Sequence, residues 1–494
     1  MYSPDQETFY SLLEEADLVP LHRTIVADLD TPLTIYAKIA GQESHAFLFE
    51  SMEGGEKWGR YSFIGLDPLV RFTSTGGQVT LSGSAIDGQE KREEVNPLVE
   101  LRDLLASFRA STAPGLPRFY GGAVGFLGYD MIRFIEEIPD THEPLDIPDA
   151  SFIVPRLVLI HDAVNQTLTI VCNVVARDDD DPTALYEDGC RRIEAVITQL
   201  RQPLPAHLTG AAKSCGPHTF TSNMDEKSFS AMVEQAKEYI LSGDIIQVAL
   251  SQRFHTKTEL DSFLLYRALR HINPSPYLFY LHLGDVVLIG SSPEILVRLE
   301  DKGIELRPIA GTRKRGATPA DDRALEEELL ADPKERAEHL MLVDLGRNDV
   351  GRVARNGSVH VSDLLVIERY SHVMHIVSGV HGTLAEGKDQ FDVIKACFPA
   401  GTVSGAAKIR AMEVIDELEV ERRGPYAGAV GYFGFSGNMD FCITIRTFFM
   451  KGDDLWIQAG AGIVSDSVPA KEYEETINKA QGLRRAVELA EKGL

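Results

Sequence analysis

Apolar and polar positions follow different patterns in the two halves of this 494-residue chain. The first half carries short apolar runs, bounded by turn residues and polar helical stretches, at residues 150–154 and 168–171. In the second half, strand-like runs at residues 285–289 and 441–445 alternate with long helical patterns near residues 225–242, 319–346, 405–420 and 470–491. Both patterns predict an α+β protein.

A segment without amphipathic periodicity separates the two halves. Residues 201–222 gather Pro, Gly, Ser and Ala, which is typical of a linker. We therefore expect an N-terminal region at residues 1–200, packed with the core, and a catalytic region at residues 223–494. The chain is longer than a typical single domain of roughly 150 residues, so we expect two lobes or one large interleaved body.

One short sequence occurs in both halves. Residues 122–129 read GAVGFLGY, and residues 428–435 read GAVGYFGF. Glycine at every third position between apolar residues suits strands that pack closely where a Cβ would clash. The repeat does not match a dinucleotide-binding fingerprint, because it lacks the GxGxxG spacing and no long helix follows it directly. We expect equivalent strands from the two halves in one body.

Composition and charge exclude several classes of protein. Hydrophobic residues make up 44% and charged residues 25%, as in ordinary globular chains. The formal net charge of -25 would repel a nucleic-acid backbone and an anionic membrane. The N-terminus lacks a basic, apolar leader, and no run of about 18 apolar residues occurs, so we expect a cytoplasmic protein. The five cysteines include no CxxC pair and predict neither disulfides nor a zinc ribbon.

Two pairs of glutamates are candidate metal ligands. Glu335 and Glu338 stand three residues apart on one helical face, and Glu472 and Glu475 stand near the start of the last predicted helix. Four carboxylates on two helices suit Mg²⁺, which prefers oxygen ligands and retains waters. The alternative is an ordinary charged helix surface, since Glu475 and Lys479 also form a favourable i, i+4 pair.

Other candidates for chemistry allow two interpretations each. Gly460-Ala461-Gly462, just after a predicted strand, is either an anion-binding backbone segment or a tight turn. Arg446, among β-branched residues, is either a carboxylate clamp or half of an internal ion pair. His375 is either a core histidine or a catalytic base. No HExxH motif is present, so zinc is not indicated.

Ordered sequence blocks along the second half agree with one known family. They are GDIIQV (243–248), GSSPE (290–294), PIAGT (308–312), LGRND (345–349), PAGTVSG (399–405), GPYAG (424–428) and GAG (460–462). Over roughly residues 225–485 the chain resembles the chorismate-binding enzymes, with weaker similarity over residues 20–200. The resemblance implies two packed, mainly antiparallel β-sheets flanked by helices, with a helical and loop-rich second region.

Members of this family differ in the nucleophile that they add to chorismate. A lysine that activates water in some members is replaced here by Gln247, and a lysine that attacks the ring in others is replaced by Ala310. The resemblance therefore implies direct addition of ammonia, with anthranilate and pyruvate as products, at the start of tryptophan synthesis. The chain lacks a glutaminase signature, so we expect a separate glutamine amidotransferase subunit and a hetero-oligomer.

The resemblance also implies roles for the acidic residues. Mg²⁺ is expected to bridge Glu338 and Glu475 to the ring carboxylate of chorismate, while Glu335 and Glu472 hold metal-bound waters. Glu294 is expected to protonate the departing 4-hydroxyl while ammonia adds at C2.

Further roles follow from the same resemblance. His375 is expected to remove the C2 proton as pyruvate leaves. The residues expected to line the pocket or to hold the enolpyruvyl carboxylate are Thr402, Tyr426, Arg446, Gly460, Ala461, Gly462 and Lys479.

Anthranilate-forming members of the family are commonly inhibited by tryptophan. The residues expected at such an inhibitor site are Glu50, Ser51, Asn273, Pro274, Pro276 and Tyr277. The alternative for these residues is a capped turn packed on a proline loop. Two other functions remain open from the sequence: an aminodeoxychorismate-forming enzyme, and a non-catalytic tryptophan-sensing protein of the same fold.

Overall fold

The computed structural model describes residues 1–51, 59–205, 217–370 and 373–494. Much of the predicted linker, residues 206–216, lies outside these ranges, and the domain boundaries stay a prediction. No helix in the described ranges is long and apolar enough to cross a membrane. The helices are α1 Gln6–Leu13, α2 Pro32–Ile39, α3 Pro97–Ala106, α4 Pro182–Leu200, α5 Glu226–Ser242, α6 Ser262–Ile272, α7 Pro319–Ala331, α8 Pro333–Gly351, α9 Gln390–Cys397, α10 Lys408–Leu418 and α11 Pro469–Lys492.

The strands are spread over both halves of the chain. The first half contains β1 Leu18–Val26, β2 His45–Glu50, β3 Tyr61–Thr75, β4 Gln78–Ser82, β5 Gln89–Arg92, β6 Gly122–Leu127, β7 Ala150–Asp162 and β8 Thr167–Val175. The second half contains β9 Thr221–Ser222, β10 Gln247–Lys257, β11 Tyr277–Leu283, β12 Val286–Ser292, β13 Ile295–Glu300, β14 Gly303–Leu306, β15 Ile309–Lys314, β16 His360–Arg369, β17 Val373–Thr383, β18 Gly405–Ala406, β19 Ala429–Gly434, β20 Met439–Ile443, β21 Thr447–Lys451 and β22 Asp454–Ile463.

Antiparallel pairing joins the described strands into two arms that diverge at β7. One arm runs from β7 through β3, β2, β11, β12, β21 and β22 to β10. The other runs from β7 through β6, β19, β20, β13 and β14 to β17. Strands of the N-terminal half therefore form the junction of the two arms, and strands of the C-terminal half continue each arm outward, which makes one interleaved body.

A cluster of buried aromatic and aliphatic side chains fills the space between the two arms. Phe47 of β2 and Phe279 of β11 contribute from one arm, and Phe126 of β6 and Tyr432 of β19 contribute from the other. Each fully buried phenylalanine stabilises the fold by about 2 kcal/mol. Two further clusters bury helices against the outer faces of the arms. The expected pair of packed, mainly antiparallel sheets flanked by helices is confirmed.

The two copies of the glycine-rich repeat form neighbouring strands. In the pairing of β6 with β19, Gly125 lies opposite Gly431. A Cβ on Gly125 would stand 1.9 Å from the carbonyl oxygen of Ser151, and a Cβ on Gly431 would stand 2.0 Å from that of Asp440. The interpretation as closely packed, equivalent strands is confirmed.

Three local predictions need correction. The helical pattern at residues 319–346 is two helices, because Pro333 has no N–H to continue α7 and Asp332 caps the start of α8. The strand predicted at residues 441–445 ends at Ile443, and Arg446 follows with φ of 51°, in the left-handed region. The end of the predicted linker, Thr221–Ser222, is a short strand that pairs with β10.

Candidate active site

A cavity of about 440 Å³ opens between β10, β22, the turn at Gly401–Val403 and α11. All seven residues that the resemblance assigned to substrate binding line it, so folding brings these scattered positions together. Its complete lining is Ala249, Thr402, Val403, Tyr426, Ile445, Arg446, Gln458, Ala459, Gly460, Ala461, Gly462 and Lys479.

Arg446 supplies a positive charge to this cavity. No side chain or carbonyl in the described part of the chain takes a hydrogen bond or an ion pair from its guanidinium group. Burial lowers the pKa of Arg446, while Tyr426 and Glu475 raise it, and an arginine remains charged at neutral pH in such surroundings. The interpretation as an internal ion pair therefore has no support, and the guanidinium is available to an anionic ligand.

Gly460 and Gly462 lie inside β22 and not in a turn after it, because β10 pairs with β22 along its length. The strand β21 pairs with β22 only as far as Ile457, so the residues of β22 after Ile457 have no β21 partner on that edge. Lys479 Nζ donates a 2.9 Å hydrogen bond to the Gly460 carbonyl, which places that carbonyl on the free edge. The N–H of the same residue points the same way in an antiparallel strand and faces the cavity edge.

Tyr426 packs directly on this strand. Its hydroxyl lies 2.8 Å from the position that a Cβ on Gly460 would occupy, so a larger residue there would displace the tyrosine. Burial raises the pKa of Tyr426 to about 12, which keeps the hydroxyl protonated and able to donate a hydrogen bond.

Glu294 is a buried carboxyl group next to the cavity. Burial raises its pKa to about 7, against opposing effects of the Thr402 hydroxyl, Lys479 and the Ile309 backbone N–H. Thr402 Oγ1 donates a 2.7 Å hydrogen bond to Glu294 Oε1. Glu294 lines a second cavity of about 380 Å³, and Thr402 lines both cavities. A carboxyl group of this pKa can donate a proton near neutral pH.

His375 lies on β17, and its ring is held by residues of β15. Its Nδ1 stands 3.0 Å from the Gly311 carbonyl oxygen and 3.0 Å from Thr312 Oγ1. Since a carbonyl only accepts, Nδ1 carries the proton and Nε2 is left as an acceptor. Burial lowers the pKa of His375, and the nearby Arg446 lowers it further. The imidazole is neutral at neutral pH and has the form that a base requires.

The four predicted metal ligands form one acidic cluster at the start of α8 and α11. Burial raises the pKa of Glu338 first, and the neighbouring Glu335 and Glu475 raise it further. Burial also raises the pKa of Glu472, again with a contribution from Glu475. These pKa shifts show that the carboxylates share one electrostatic environment.

Two basic side chains partly neutralise the charge of the same glutamate cluster. Arg313 donates to Glu335 at 3.2 Å, and Lys479 pairs with Glu475 at 2.7 Å. Glu338 has no hydrogen-bond or ion-pair partner among the residues that the structure describes. The donor chemistry fits Mg²⁺. Within the described ranges, however, no three Asp, Glu, His or Cys side chains lie where they could together hold a metal ion, so the metal assignment stays a prediction.

Two positions that distinguish the nucleophile lie beside the cavities. The amide nitrogen of Gln247 stands 2.6 Å from where a Cβ on Gly462 would be, and its buried Oε1 has no hydrogen-bond partner in the described part. Ala310 lies on β15 opposite Ile376. Neither residue offers an amine to the site.

A separate cavity of about 550 Å³ adjoins the predicted inhibitor residues. Glu50 pairs with Leu278 where β2 meets β11, so segments more than 200 residues apart become neighbours. The predicted residues that line the cavity are Glu50, Ser51, Pro276 and Tyr277, together with the aromatic side chains of Phe49, Tyr61, Phe63 and Tyr432. Asn273 and Pro274 are not part of this lining, and the Asn273 amide donates to Ser291 at 3.1 Å.

The carboxylate of Glu50 already has donors from the chain. Tyr266 donates to it at 2.6 Å, and Arg270 donates two bonds of 3.0 Å. A role for Glu50 as the acceptor for a ligand ammonium would have to compete with these partners.

Sequence patterns did not identify every residue of the cavity. Ala249, Val403, Ile445, Gln458 and Ala459 also line it. The one usable signal was Gln458, a polar residue inside an apolar strand, whereas the other four have ordinary core chemistry.

Comparison with known proteins identifies the class to which this fold and site belong. Residues 44–485 match the family model described as chorismate binding enzyme, and the chain belongs to the chorismate-binding enzyme family. Within that family, it is 47% identical over 488 residues to anthranilate synthase component 1 of Aquifex aeolicus, covering 98% of each chain. It is 44% identical over 493 residues to the protein of the same name in Acetivibrio thermocellus, covering 99% of each chain.

Solved structures agree with this placement. The crystal structure of anthranilate synthase component I from Streptococcus pneumoniae superposes with a TM-score of 0.78 at 36% identity, over 93% of this chain and 99% of that one. The menaquinone-specific isochorismate synthase of Escherichia coli gives a TM-score of 0.69 at 21% identity, over 98% of this chain and 100% of that one. The second likeness shows the shared fold alone.

Proposed function

We propose that this chain converts chorismate and ammonia into anthranilate with release of pyruvate, a lyase reaction that commits chorismate to tryptophan synthesis. Relatives named anthranilate synthase component 1 match almost the full chain, which supports the proposal. The observation that carries it is the guanidinium of Arg446, which faces the cavity without a partner in the described structure. Chorismate carries two carboxylates: Arg446 in the cavity suits one of them, and a cation held by the glutamate cluster would suit the other.

The enolpyruvyl carboxylate fits the end of the cavity that contains Arg446. The guanidinium can hold a carboxylate through two parallel hydrogen bonds, with the hydroxyl of Tyr426 and the backbone N–H of Gly460 nearby. Lys479 adds positive charge while its ammonium group is anchored to the Gly460 carbonyl. These groups orient the substrate in the site.

The ring carboxylate belongs next to the acidic cluster, where Mg²⁺ is needed to remove the charge repulsion. Glu338 and Glu475 would hold the ion directly, and Glu335 and Glu472 would hold its waters. When bound, Mg²⁺ supplies positive charge to an otherwise acidic surface. Glu338 is the best placed of the four, because it has no other partner among the described residues.

Glu294 and His375 perform two of the proton transfers. Glu294 donates its proton to the 4-hydroxyl, which leaves as water while ammonia adds at C2 and the ring double bonds shift. A pKa of about 7 keeps a useful fraction of Glu294 protonated at neutral pH. The free Nε2 of His375 then accepts the C2 proton, the enolpyruvyl group leaves as pyruvate after gaining a proton at its methylene carbon, and the ring becomes aromatic.

Ammonia comes from outside this chain. Gln247 and Ala310 provide no base to activate water and no amine to attack the ring. The name component 1, borne by the relatives, fits a two-part enzyme. We therefore propose that a glutamine amidotransferase subunit binds this chain and supplies ammonia.

Tryptophan is proposed as the inhibitor, bound in the 550 Å³ cavity where Ser51 meets Pro276 and Tyr277. The aromatic lining suits an indole ring. The existing bonds of Glu50 to Arg270 and Tyr266 give this residue a role in fixing the wall of the cavity.

Identification of the product tests the proposed function. The purified chain is incubated with chorismate, Mg²⁺ and ammonium at mildly alkaline pH, and products are followed by fluorescence and mass. Formation of anthranilate and pyruvate is expected. A non-aromatic aminated product as the end point would show an aminodeoxychorismate-forming enzyme, and absence of turnover would indicate a non-catalytic member of the fold.

A further inference from the structure

Arg423 has the largest fully buried side chain in the described structure and lies beneath the active-site cavity without lining it. It forms an ion pair with Glu419: Nε donates to Oε2 at 2.9 Å and Nη2 donates to Oε1 at 2.6 Å. Removing two charges from water is costly unless further hydrogen bonds satisfy the remaining groups. Here the further hydrogen bonds of Arg423 and Glu419 are made with backbone and side-chain groups in the walls of the cavity.

The guanidinium group joins two of those walls. Its Nη1 donates a 2.6 Å hydrogen bond to the carbonyl of Val403, and its Nη2 donates one of 2.6 Å to the carbonyl of Ala249. Val403 follows Thr402 in the turn that reaches Glu294, and Ala249 lies on β10. The planar group therefore sets the distance between that turn and the strand.

Glu419 extends the connection to a third wall. Its Oε1 accepts hydrogen bonds of 2.8 Å from both the backbone N–H and the hydroxyl of Ser251 on β10. The hydroxyl of Ser251 accepts in turn from Gln458 Nε2 at 2.9 Å. Gln458 lies on β22, two residues before Gly460, and lines the cavity.

The fourth connection is aromatic. The guanidinium carbon of Arg423 stands 5.7 Å from the ring centroid of Tyr426 and 4.7 Å from that of Tyr129. Cation–π attraction of this kind stabilises a ring in one orientation. Arg423 therefore helps to fix the Tyr426 ring, whose hydroxyl packs against Gly460.

We propose that Arg423 and Glu419 are positioning residues, which hold β10, β22, the Thr402 turn and Tyr426 at the spacing that the reaction requires. The pair touches no substrate atom in this assignment. Through the Val403 carbonyl, the pair affects the contact between Thr402 and Glu294. Through Tyr426 and Gln458, it affects the end of the cavity proposed to bind the enolpyruvyl carboxylate. The inference rests on the proposed function, because its readout is turnover of chorismate.

Arg423→Lys is the informative change. Lysine retains the charge but has no planar fork, so it cannot serve Glu419, Val403 and Ala249 together. We expect the turn to shift and the Thr402 hydrogen bond to Glu294 to weaken. The expected results are a fall in kcat of about tenfold or more and a rise in KM for chorismate.

The pH profile separates positioning from loss of folded protein. Three groups act on the pKa of Glu294: the Thr402 hydroxyl, Lys479 from α11 and the Ile309 N–H from β15. The other titratable or charged groups that line the second cavity with it are Arg307, Asp349 and Cys397. The Thr402 bond lowers the pKa of Glu294, so weakening it raises that pKa and extends the protonated form to higher pH. We expect the alkaline limb of kcat/KM to move upward by about half a pH unit.

The experiment compares wild type, Arg423→Lys and Arg60→Lys, each at constant free ammonia across the pH range and per mole of folded protein. Arg60 forms a bidentate pair with Asp162 far along the chain from the cavity lining, and its change is expected to leave kcat and the pH limb unaltered. An Arg423→Lys enzyme with wild-type kcat, KM and limb would overturn the inference while leaving the proposed function intact. An inactive wild type would instead overturn the proposed function.

Ser251→Ala decides the matter if Arg423→Lys does not fold. It removes one hydroxyl donor to Glu419 and the bridge to Gln458 while leaving the ion pair in place. A fall in kcat and a shift of the alkaline limb of kcat/KM to higher pH, both smaller than those expected for Arg423→Lys, support the inference. Unchanged kinetics in a folded Ser251→Ala enzyme would refute it.

Discussion

The hydroxyl of Thr402 donates a 2.7 Å hydrogen bond to Oε1 of Glu294, and Thr402 also lines the cavity that contains Arg446. One residue thus connects the buried acid to the substrate pocket. The bond opposes the effect of burial on Glu294, whose pKa is nevertheless raised to about 7. Proton donation by Glu294 is therefore sensitive to this single contact.

Thr402→Val tests that contact. Valine keeps the shape but not the donor, so the pKa of Glu294 should rise above about 7. Because the acid must be protonated, the alkaline limb of kcat/KM should move to higher pH, measured at constant free ammonia. Thr402→Ser, which keeps the hydroxyl, should behave as wild type. A valine variant with an unshifted limb would remove Glu294 from the role of acid.

Arg446→Gln tests the carboxylate clamp. The loss of charge-assisted hydrogen bonds worth about 1.5–3 kcal/mol should raise KM for chorismate roughly 10- to 100-fold. Steady-state kinetics at saturating Mg²⁺ measure the effect. Arg191→Gln, at an exposed arginine that pairs with Asp188, is the matched control and should leave KM unchanged. Equal KM values for Arg446→Gln and wild type would contradict the clamp.

Glu338→Gln tests the metal assignment. Removing the one carboxylate of the cluster that has no other partner in the described structure should weaken Mg²⁺ binding at least about tenfold. Calorimetric titration of Mg²⁺ into the purified chain measures this without turnover, and activity should fall in parallel. Glu474→Gln, at an exposed position of α11, is the control. Retention of wild-type Mg²⁺ affinity would show that the ion is held elsewhere.

His375→Gln tests the proton transfer from C2. Loss of a general base should slow aromatisation about 100-fold or more, so a non-aromatic aminated intermediate should accumulate. Mass analysis of quenched reactions detects it. His381→Gln on the same strand, where the ring stacks on His360, should form anthranilate at the normal rate. If the His375 variant forms anthranilate without accumulation, another group removes the proton.

Ser51→Phe tests the inhibitor cavity. A phenyl ring would occupy space in the 550 Å³ cavity, so tryptophan should inhibit less while uninhibited turnover stays the same. The tryptophan concentration for half inhibition is the measurement, and an increase of about tenfold is expected. Identical inhibition of variant and wild type would place the inhibitor elsewhere.

The α+β class was predictable because its signals are local, whereas the two packed antiparallel sheets were implied by the family resemblance. Apolar runs, turn residues and Pro469 marked strands and the last helix. The repeated glycine octapeptide predicted equivalent strands of the two halves in one body, and the structure adds that these two strands pair directly. The division at Pro333 was missed because charged, helix-favouring residues continue on both sides of it. The left-handed turn at Arg446 was missed because its sequence reads as a strand.

The sequence by itself determined the α+β class, the family motifs and the positions of the candidate acid, base and carboxylates, since these depend on residue type and spacing. Only the tertiary structure decided which side chains meet. Arg446 was found without a partner in the described ranges, whereas Glu50 was found already bonded to Arg270 and Tyr266. Both outcomes depend on contacts between distant segments, and burial of Glu294 among them, not its neighbours in sequence, raises its pKa.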